Sequence, residues 1–286
     1  MVRAGLICLC LMTGLVQAQP VCVQDDLHNE VCVSGARQVV TLSPHATELV
    51  AYVAGVGVLA GVDSSSDFPV SVARLPKVGD SQRVDLERVL SLEPDLVVAW
   101  GSGTSPDVLA SLQRLGVSVF VSEPLTVEQV AGNMRALGRL LGQQKADAVA
   151  SEWLGRFEQL KAEYQGRDPV KVFYQIWESP LMTLGGRHIV NQLLELCGGY
   201  NVFSDLDVLA AQVNLESVLA ESPELILTSG ERKSALSALS HWGQWPHLPA
   251  TRKGQFAVLP PDVLVRNGPR LIEGAKALCT AIDGAR

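Results

Sequence analysis

The side chains able to do chemistry are few and scattered. His28, His45, His188, His241 and His247 form no His-Glu-x-x-His pair and no metal-ligand spacing, so no zinc centre is expected. Gly101-Ser102-Gly103-Thr104-Ser105-Pro106 begins like a phosphate-gripping loop. Pro106, however, stands where a third Gly is needed, and no Lys-Ser or Lys-Thr pair follows. There is no Gly-x-Ser-x-Gly elbow, and no motif sets a base beside Ser43 or Ser102. The expectation is a protein that is not an enzyme and has no cofactor or bound metal. Hydrolysis at Ser43 or Ser102 is the distant alternative, and an adhesion or structural module is a third.

The polar segments that remain suit binding. They are Ser43-Pro44-His45-Ala46-Thr47, Asp63-Ser64-Ser65-Ser66-Asp67, Trp100-Gly101-Ser102, Gln175-Ile176-Trp177-Glu178, Ser229-Gly230, and Asp262 through Arg266. They are read as loops that follow strands, and ligands of open α/β sheets bind outside the carboxyl ends of strands. Ser43, Pro44, His45, Ser65, Ser66, Trp100, Gly101 and Trp177 are therefore ligand-contact candidates. Because the segments come from both halves of the chain, a site between two facing sets of loops is expected.

The elements that must position these loops alternate. Short apolar runs at Val39–Leu42, Leu96–Ala99, Val117–Phe120, Val170–Tyr174, Leu225–Leu227 and Phe256–Leu259 read as strands. Helices are expected from Ala46, Pro106 and Val127. Strand, loop and helix in repetition argue for parallel sheets with covering helices. Leu86 through Val97 is echoed without a gap by Leu215 through Ile226. Each copy has a cap candidate (Asp85, Asn214), a short helix, a Pro and a buried strand. Between the halves, Val149, Trp153, Phe157, Leu160 and Tyr164 recur at spacings of three and four, predicting one long amphipathic helix over Lys145–Tyr164.

With 47% apolar residues, a mean hydropathy of +0.20 and 286 residues, the chain can bury substantial cores. A formal charge of -7 with no basic run speaks against a nucleic-acid partner. Arg3, the apolar stretch Leu6–Val16 and the small-residue ending at Ala18 read as an export signal cleaved near residue 18. No later run reaches the roughly 20 apolar residues of a membrane helix, so no membrane insertion is expected. Cys22, Cys32, Cys197 and Cys279 remain after cleavage, an even set in an oxidising compartment. Cys22 and Cys32 flank the turn-rich Asp25-Asp26-Leu27-His28-Asn29 and are paired across a small hairpin, with Cys197 paired to Cys279.

Several separated motifs carry a resemblance: Val40-Thr41-Leu42-Ser43-Pro44 with Thr47-Glu48, Gly61-Val62 with Ser66-Asp67-x-Pro69, Leu86-Glu87 with Pro94-Asp95-Leu96-Val97, and Glu195-x-Cys197-Gly198-Gly199. In order and spacing they resemble the periplasmic vitamin B12-binding proteins of ABC importers, from about Val39 to Ile282. The resemblance implies a class III substrate-binding protein of α/β class. Two Rossmann-like lobes with parallel sheets would be joined by a single long helix, with the ligand in the cleft between them. The expected organisation is a signal at 1–18, a disulfide hairpin at 19–36, an N-terminal lobe at 37–142, the linking helix at 143–167 and a C-terminal lobe at 168–286.

The resemblance also implies cobalamin or a related corrinoid as ligand, delivered by a periplasmic monomer to the permease dimer of an ABC importer. Glu87 and Glu216 match the carboxylates that dock on permease arginines, Asp262 and Arg266 match polar neighbours of the corrin, and the Cys197–Cys279 pairing agrees. Where the family sets aromatic rings against the corrin, this chain has Ser65, Ser81, Ala210 and Val263. With five Trp, four Tyr and six Phe in all, few rings are left to replace them; Trp100 and Trp177 are the candidates. A ferric siderophore or haem is the alternative ligand, for which His45 on a cleft loop would suit an iron.

Overall fold

Runs such as Val39-Val40-Thr41 and Leu96-Val97-Val98-Ala99 carry no outward-facing polar residue, so they are stable only as strands covered on both faces. The computed structural model, which describes residues 19–286, places them so: every residue of both runs is fully buried. The expected export signal at 1–18 lies outside the described residues. The described chain opens with a hairpin of β1 (Val21–Gln24) and β2 (Glu30–Val33). Next come β3 (Val39–Thr41), α1 (Pro44–Ala54), β4 (Leu59–Val62), α2 (Leu86–Ser91), β5 (Leu96–Trp100), α3 (Pro106–Arg114), β6 (Val119–Ser122) and α4 (Val127–Leu140). The long helix α5 (Ala146–Tyr164) leads to β7 (Val170–Trp177), β8 (Met182–Leu184), α6 (Ile189–Leu196), β9 (Gly199–Asn201), β10 (Ala210–Gln212) and α7 (Leu215–Glu221). β11 (Leu225–Ser229), α8 (Arg232–Ser240), α9 (Pro249–Lys253), β12 (Phe256–Leu259) and α10 (Leu271–Asp283) complete it.

The first sheet, in the order β4-β3-β5-β6, is wholly parallel. The second runs β10-β8-β7-β11-β12, with β9 also paired to β7. Its β9, β7, β11 and β12 are parallel, while β8 and β10 add antiparallel pairings, so this sheet is mixed rather than wholly parallel as expected.

The repeated segment folds alike in both copies. Asp85 and Asn214 accept hydrogen bonds from Arg88 N (2.9 Å) and Ser217 N (2.7 Å), capping α2 and α7. Each copy then turns through a left-handed residue just before its proline, Glu93 (φ 46°) and Ser222 (φ 51°), and enters a central strand. β5 lies between β3 and β6, and β11 between β7 and β12.

Helix α5 joins the two sheets and buries Ala146, Ala150, Trp153, Phe157 and Leu160. The stripe thus runs through Ala150 rather than the expected Val149. One continuous apolar cluster extends from β3 and β5 through α1, α4 and α5 to β7, β11, α6 and α10. Trp153, wholly buried, stacks edge-on against Phe157 at 4.7 Å and donates its indole N–H to Pro269 O at 2.8 Å. Cys22 pairs with Cys32, and Cys197 at the end of α6 pairs with Cys279 of α10. Closing 82 residues, the second bridge is worth about 4 kcal/mol in the chain-entropy picture.

Candidate functional site

Strand β3 ends where Leu42 gives way to Ser43, whose extended backbone (φ -161°) lets its hydroxyl cap α1 by accepting from Ala46 N at 3.4 Å. Pro44 follows in the first turn, where no N–H is needed. This entry angle sends His45 across to the end of β6. Its Nδ1 lies 3.1 Å from the Ser43 hydroxyl and its Nε2 3.2 Å from the Ser122 hydroxyl, so both ring nitrogens are engaged. Burial presses the His45 pKa down from 6.5 to about 4, against the opposing bond to Ser122. The ring meets Trp100 edge-on, centroids 5.9 Å apart.

Trp100, at the end of β5, is fixed by its own loop. Its backbone N–H donates to the Thr104 hydroxyl at 3.1 Å and its carbonyl accepts from Thr104 N at 2.8 Å. The indole folds back over Gly103, where an added Cβ would come 1.8 Å from the ring. Beside it the Glu123 carboxylate receives both the backbone N–H and the hydroxyl of Ser102. A Cβ at Gly101 would press on that carboxylate at 2.7 Å.

These residues form one wall of a cavity of about 320 Å³. Pro44, His45, Trp100, Ser102 and Glu123 through Leu125 line it from the first sheet's side. His188, Ile189 and Leu209 line it from the second, and Val265, Arg266 and Asn267 close it. His188 caps α6, its Nδ1 accepting from Val190 N at 3.2 Å, which leaves the hydrogen on Nε2. Burial lowers its pKa to about 4, so the ring is neutral near pH 7.

Behind the cavity an ion network ties the halves together. Glu48 of α1, its side chain 2% exposed, accepts two bonds from Arg270, at 2.6 and 2.9 Å, and one from Arg266 at 3.1 Å. Arg266 also holds Asp67 at 2.6 Å and Asp262 at 3.2 Å. The bond to Arg266 keeps the Asp67 carboxyl below the usual carboxylate range. The Arg270 guanidinium lies 4.2 Å above the Phe68 ring. Asn267 adds a bond to Pro124 O at 2.9 Å, and Gln192 one from Val127 N at 2.8 Å.

Of the residues singled out from the sequence, the structure gathers Pro44, His45, Trp100 and Arg266 on the cavity wall. Ser43 sits just behind as a cap, and Gly101 packs under Glu123. Ser65 is exposed. Ser66 is buried, its hydroxyl 2.8 Å from that of Thr47 and its carbonyl accepting from Lys77 Nζ. Asp262 faces Arg266 and does not line the cavity. Trp177 stands at a second hollow, of about 390 Å³, at the ends of β7 and β11. It is 61% exposed, its N–H bonded to Ser179 O at 3.0 Å. Glu87 and Glu216 are exposed in the first turns of α2 and α7.

Sequence reasoning missed Glu123, Pro124, Leu125, His188 and Leu209. The first three follow the true end of β6, which lies two residues beyond the expected strand. His188 was signalled only by its position ahead of the apolar run Ile189-Val190. The Ser43–His45 contact lacks what a nucleophile needs. Ser43 is buried, the second imidazole nitrogen meets a hydroxyl rather than a carboxylate, and a base with a pKa of about 4 is weak. Among the described residues no group of three or more His, Cys, Asp or Glu could hold a metal ion, and no helix is long and apolar enough to cross a membrane.

The sequence matches the family described as periplasmic binding protein over residues 39–263. The vitamin B12-binding protein of Salmonella typhimurium is 38% identical over 254 residues, 88% of this chain and 92% of the relative. The crystal structure of the periplasmic vitamin B12-binding protein of Vibrio cholerae superposes with a TM-score of 0.78 at 34% identity, covering 87% of this chain and 98% of that one. A periplasmic haem-binding protein from Pseudomonas aeruginosa aligns at 26% identity with a TM-score of 0.75, over 86% of this chain and 92% of its own.

Proposed function

Because the chain belongs to the periplasmic binding protein family, we propose that it is the substrate-binding protein of an ABC importer and takes cobalamin or a related corrinoid into the cavity between its two sheets. The observation that carries this reading is the 34–38% identity to vitamin B12-binding proteins over nearly nine-tenths of the chain, joined to a cavity that residues of both halves line, in the first half at the carboxyl ends of β3, β5 and β6. On this reading residues 37–142 and 168–286 are two lobes held by the helix at 143–167, and export through the signal at 1–18 delivers a monomer to the periplasm.

The cavity is the proposed place of the ligand, and the hollow at Trp177 offers further exposed surface at the ends of β7 and β11. Pro44, Trp100 and Trp177 supply apolar and aromatic surface, and His188 offers an N–H to an amide carbonyl. The interlobe ion network and the continuous core support capture with little closure. Glu87 and Glu216, exposed at matching places in the repeat, are the proposed contacts for arginines of the permease dimer.

The haem or ferric siderophore alternative draws on the neighbouring haem-binding structures. Both nitrogens of His45 are engaged, and the His188 lone pair faces its own helix, so neither ring as placed offers a ligand to iron. Titrating the purified protein with cyanocobalamin, haem and ferric chelates, followed by absorbance and Trp emission, tests the assignment. A response to cobalamin is expected, and a response to haem or the chelates alone would overturn it.

A further inference from the structure

The family match begins at residue 39, after the N-terminal hairpin, and no hairpin residue lines the cavity. Yet the hairpin is wired to the cavity wall. β6 is an edge strand of the first sheet, and an open edge needs cover. The hairpin supplies it. Asp26 N donates to Val121 O at 3.1 Å, Val121 N donates to Asp25 Oδ2 at 3.2 Å, and the Ser118 hydroxyl donates to Cys32 O at 3.2 Å.

The tip is built to hold one geometry. Asp25 is 6% exposed, and its carboxylate closes the turn by accepting from Leu27 N and Asn29 N. The Cys22–Cys32 bond staples the directly opposed pair of strand residues below it. Asp26 then reaches past the end of β6. Its Oδ2 accepts from Glu123 N at 2.6 Å and from Asn133 Nδ2 of α4 at 2.8 Å. Glu123 is the residue whose carboxylate fixes the Ser102 backbone and hydroxyl beside Trp100, and the following Pro124 and Leu125 are cavity wall.

We propose that the disulfide-stapled hairpin is a positioning device for the ligand cavity, with Asp26 as its positioning residue. By holding the Glu123 backbone, Asp26 sets the Glu123 carboxylate under Ser102 and fixes the Pro124–Leu125 wall. The device acts on ligand affinity only if the cavity is the ligand site, as proposed above; its effect on the wall itself is independent of that reading.

The test compares the full exported chain with Asp26→Ala, with Asp26→Asn, whose amide oxygen still accepts, and with Cys22→Ser/Cys32→Ser. Two quantities are measured: amide hydrogen exchange over residues 119–127, and cyanocobalamin affinity. In Asp26→Ala and in the double Cys variant, exchange at Glu123 should speed up by about tenfold or more and cobalamin affinity should fall by a similar factor. β3 and β5 should stay protected, and Asp26→Asn should restore most of both losses. Unchanged exchange at Glu123 in Asp26→Ala overturns the proposal, as does loss of protection spread evenly over the whole first sheet, which would mark the hairpin as a general fold element. If the wild type binds no corrinoid, the ligand assignment fails while the exchange comparison still decides the positioning role.

Discussion

Acidification should destabilise the protein through His45. In the unfolded chain this imidazole takes a proton near its ordinary value of 6.5, whereas burial in the fold delays protonation to about 4. Between those values the unfolded state holds more protons, so stability falls as pH drops through the window and is fully present above about 6.5. At 1.36 kcal/mol per unit, a shift from 6.5 to about 4 is worth about 3 kcal/mol, a large fraction of the total for a domain stable by about 5–15 kcal/mol. His188 acts in the same direction. Asp26 and Asp63, whose burial raises their pKa, act oppositely, so the raw pH profile is a sum. Subtracting a variant that differs only at residue 45 isolates the contribution. Urea denaturation of wild type and His45→Gln should show the wild type ahead near neutral pH, through its packing on Trp100 and its two hydroxyl contacts. Its lead should shrink by about 3 kcal/mol as pH falls to about 4. A lead that stays constant over this range would refute the assignment of a buried, neutral imidazole.

Four further perturbations probe the site and its supports. Glu48→Gln should cost about 3–5 kcal/mol by urea denaturation, because Arg266 and Arg270 lose the buried carboxylate that pairs them; a change under about 0.5 kcal/mol would mean solvent already screens them. Gly103→Ala drives a Cβ into the indole of Trp100, so Trp emission should shift and ligand affinity fall by about tenfold. Gly155→Ala, in open space on α5, should leave both unchanged and stabilise the helix by up to about 1 kcal/mol. Charge reversal at both Glu87 and Glu216 should abolish permease-dependent uptake while ligand affinity stays intact, and undiminished uptake would remove the docking role.

Much of the frame was legible because the strands are uniformly apolar and the helices begin at recognisable caps. Phe256–Leu259 needed nothing more, and the repeated helix and strand announced itself in both copies. β7 ran three residues past its expected end because Gln175 interrupts the apolar pattern. That amide is buried, accepting from the Trp242 indole at 2.7 Å, a partner 67 positions away that no local pattern shows. β6 was expected two residues early, at Val117–Phe120, which hid Glu123 as a residue at a strand's end. The Glu48–Arg266 and Glu48–Arg270 pairs span more than two hundred residues, so no local pattern shows that Arg266 sits in an ion network. β8, β9 and β10, each three residues long, carry too few positions for a period to register.

If the cavity between the two sheets holds a corrinoid, the cobalt of that ligand marks it directly. Crystals grown with cyanocobalamin, measured for the anomalous signal of cobalt, should show a single peak between the Trp100 wall and the His188–Leu209 wall. A cobalt peak elsewhere on the molecule, or an empty cavity at saturating cobalamin, would rule the corrinoid out of this cavity.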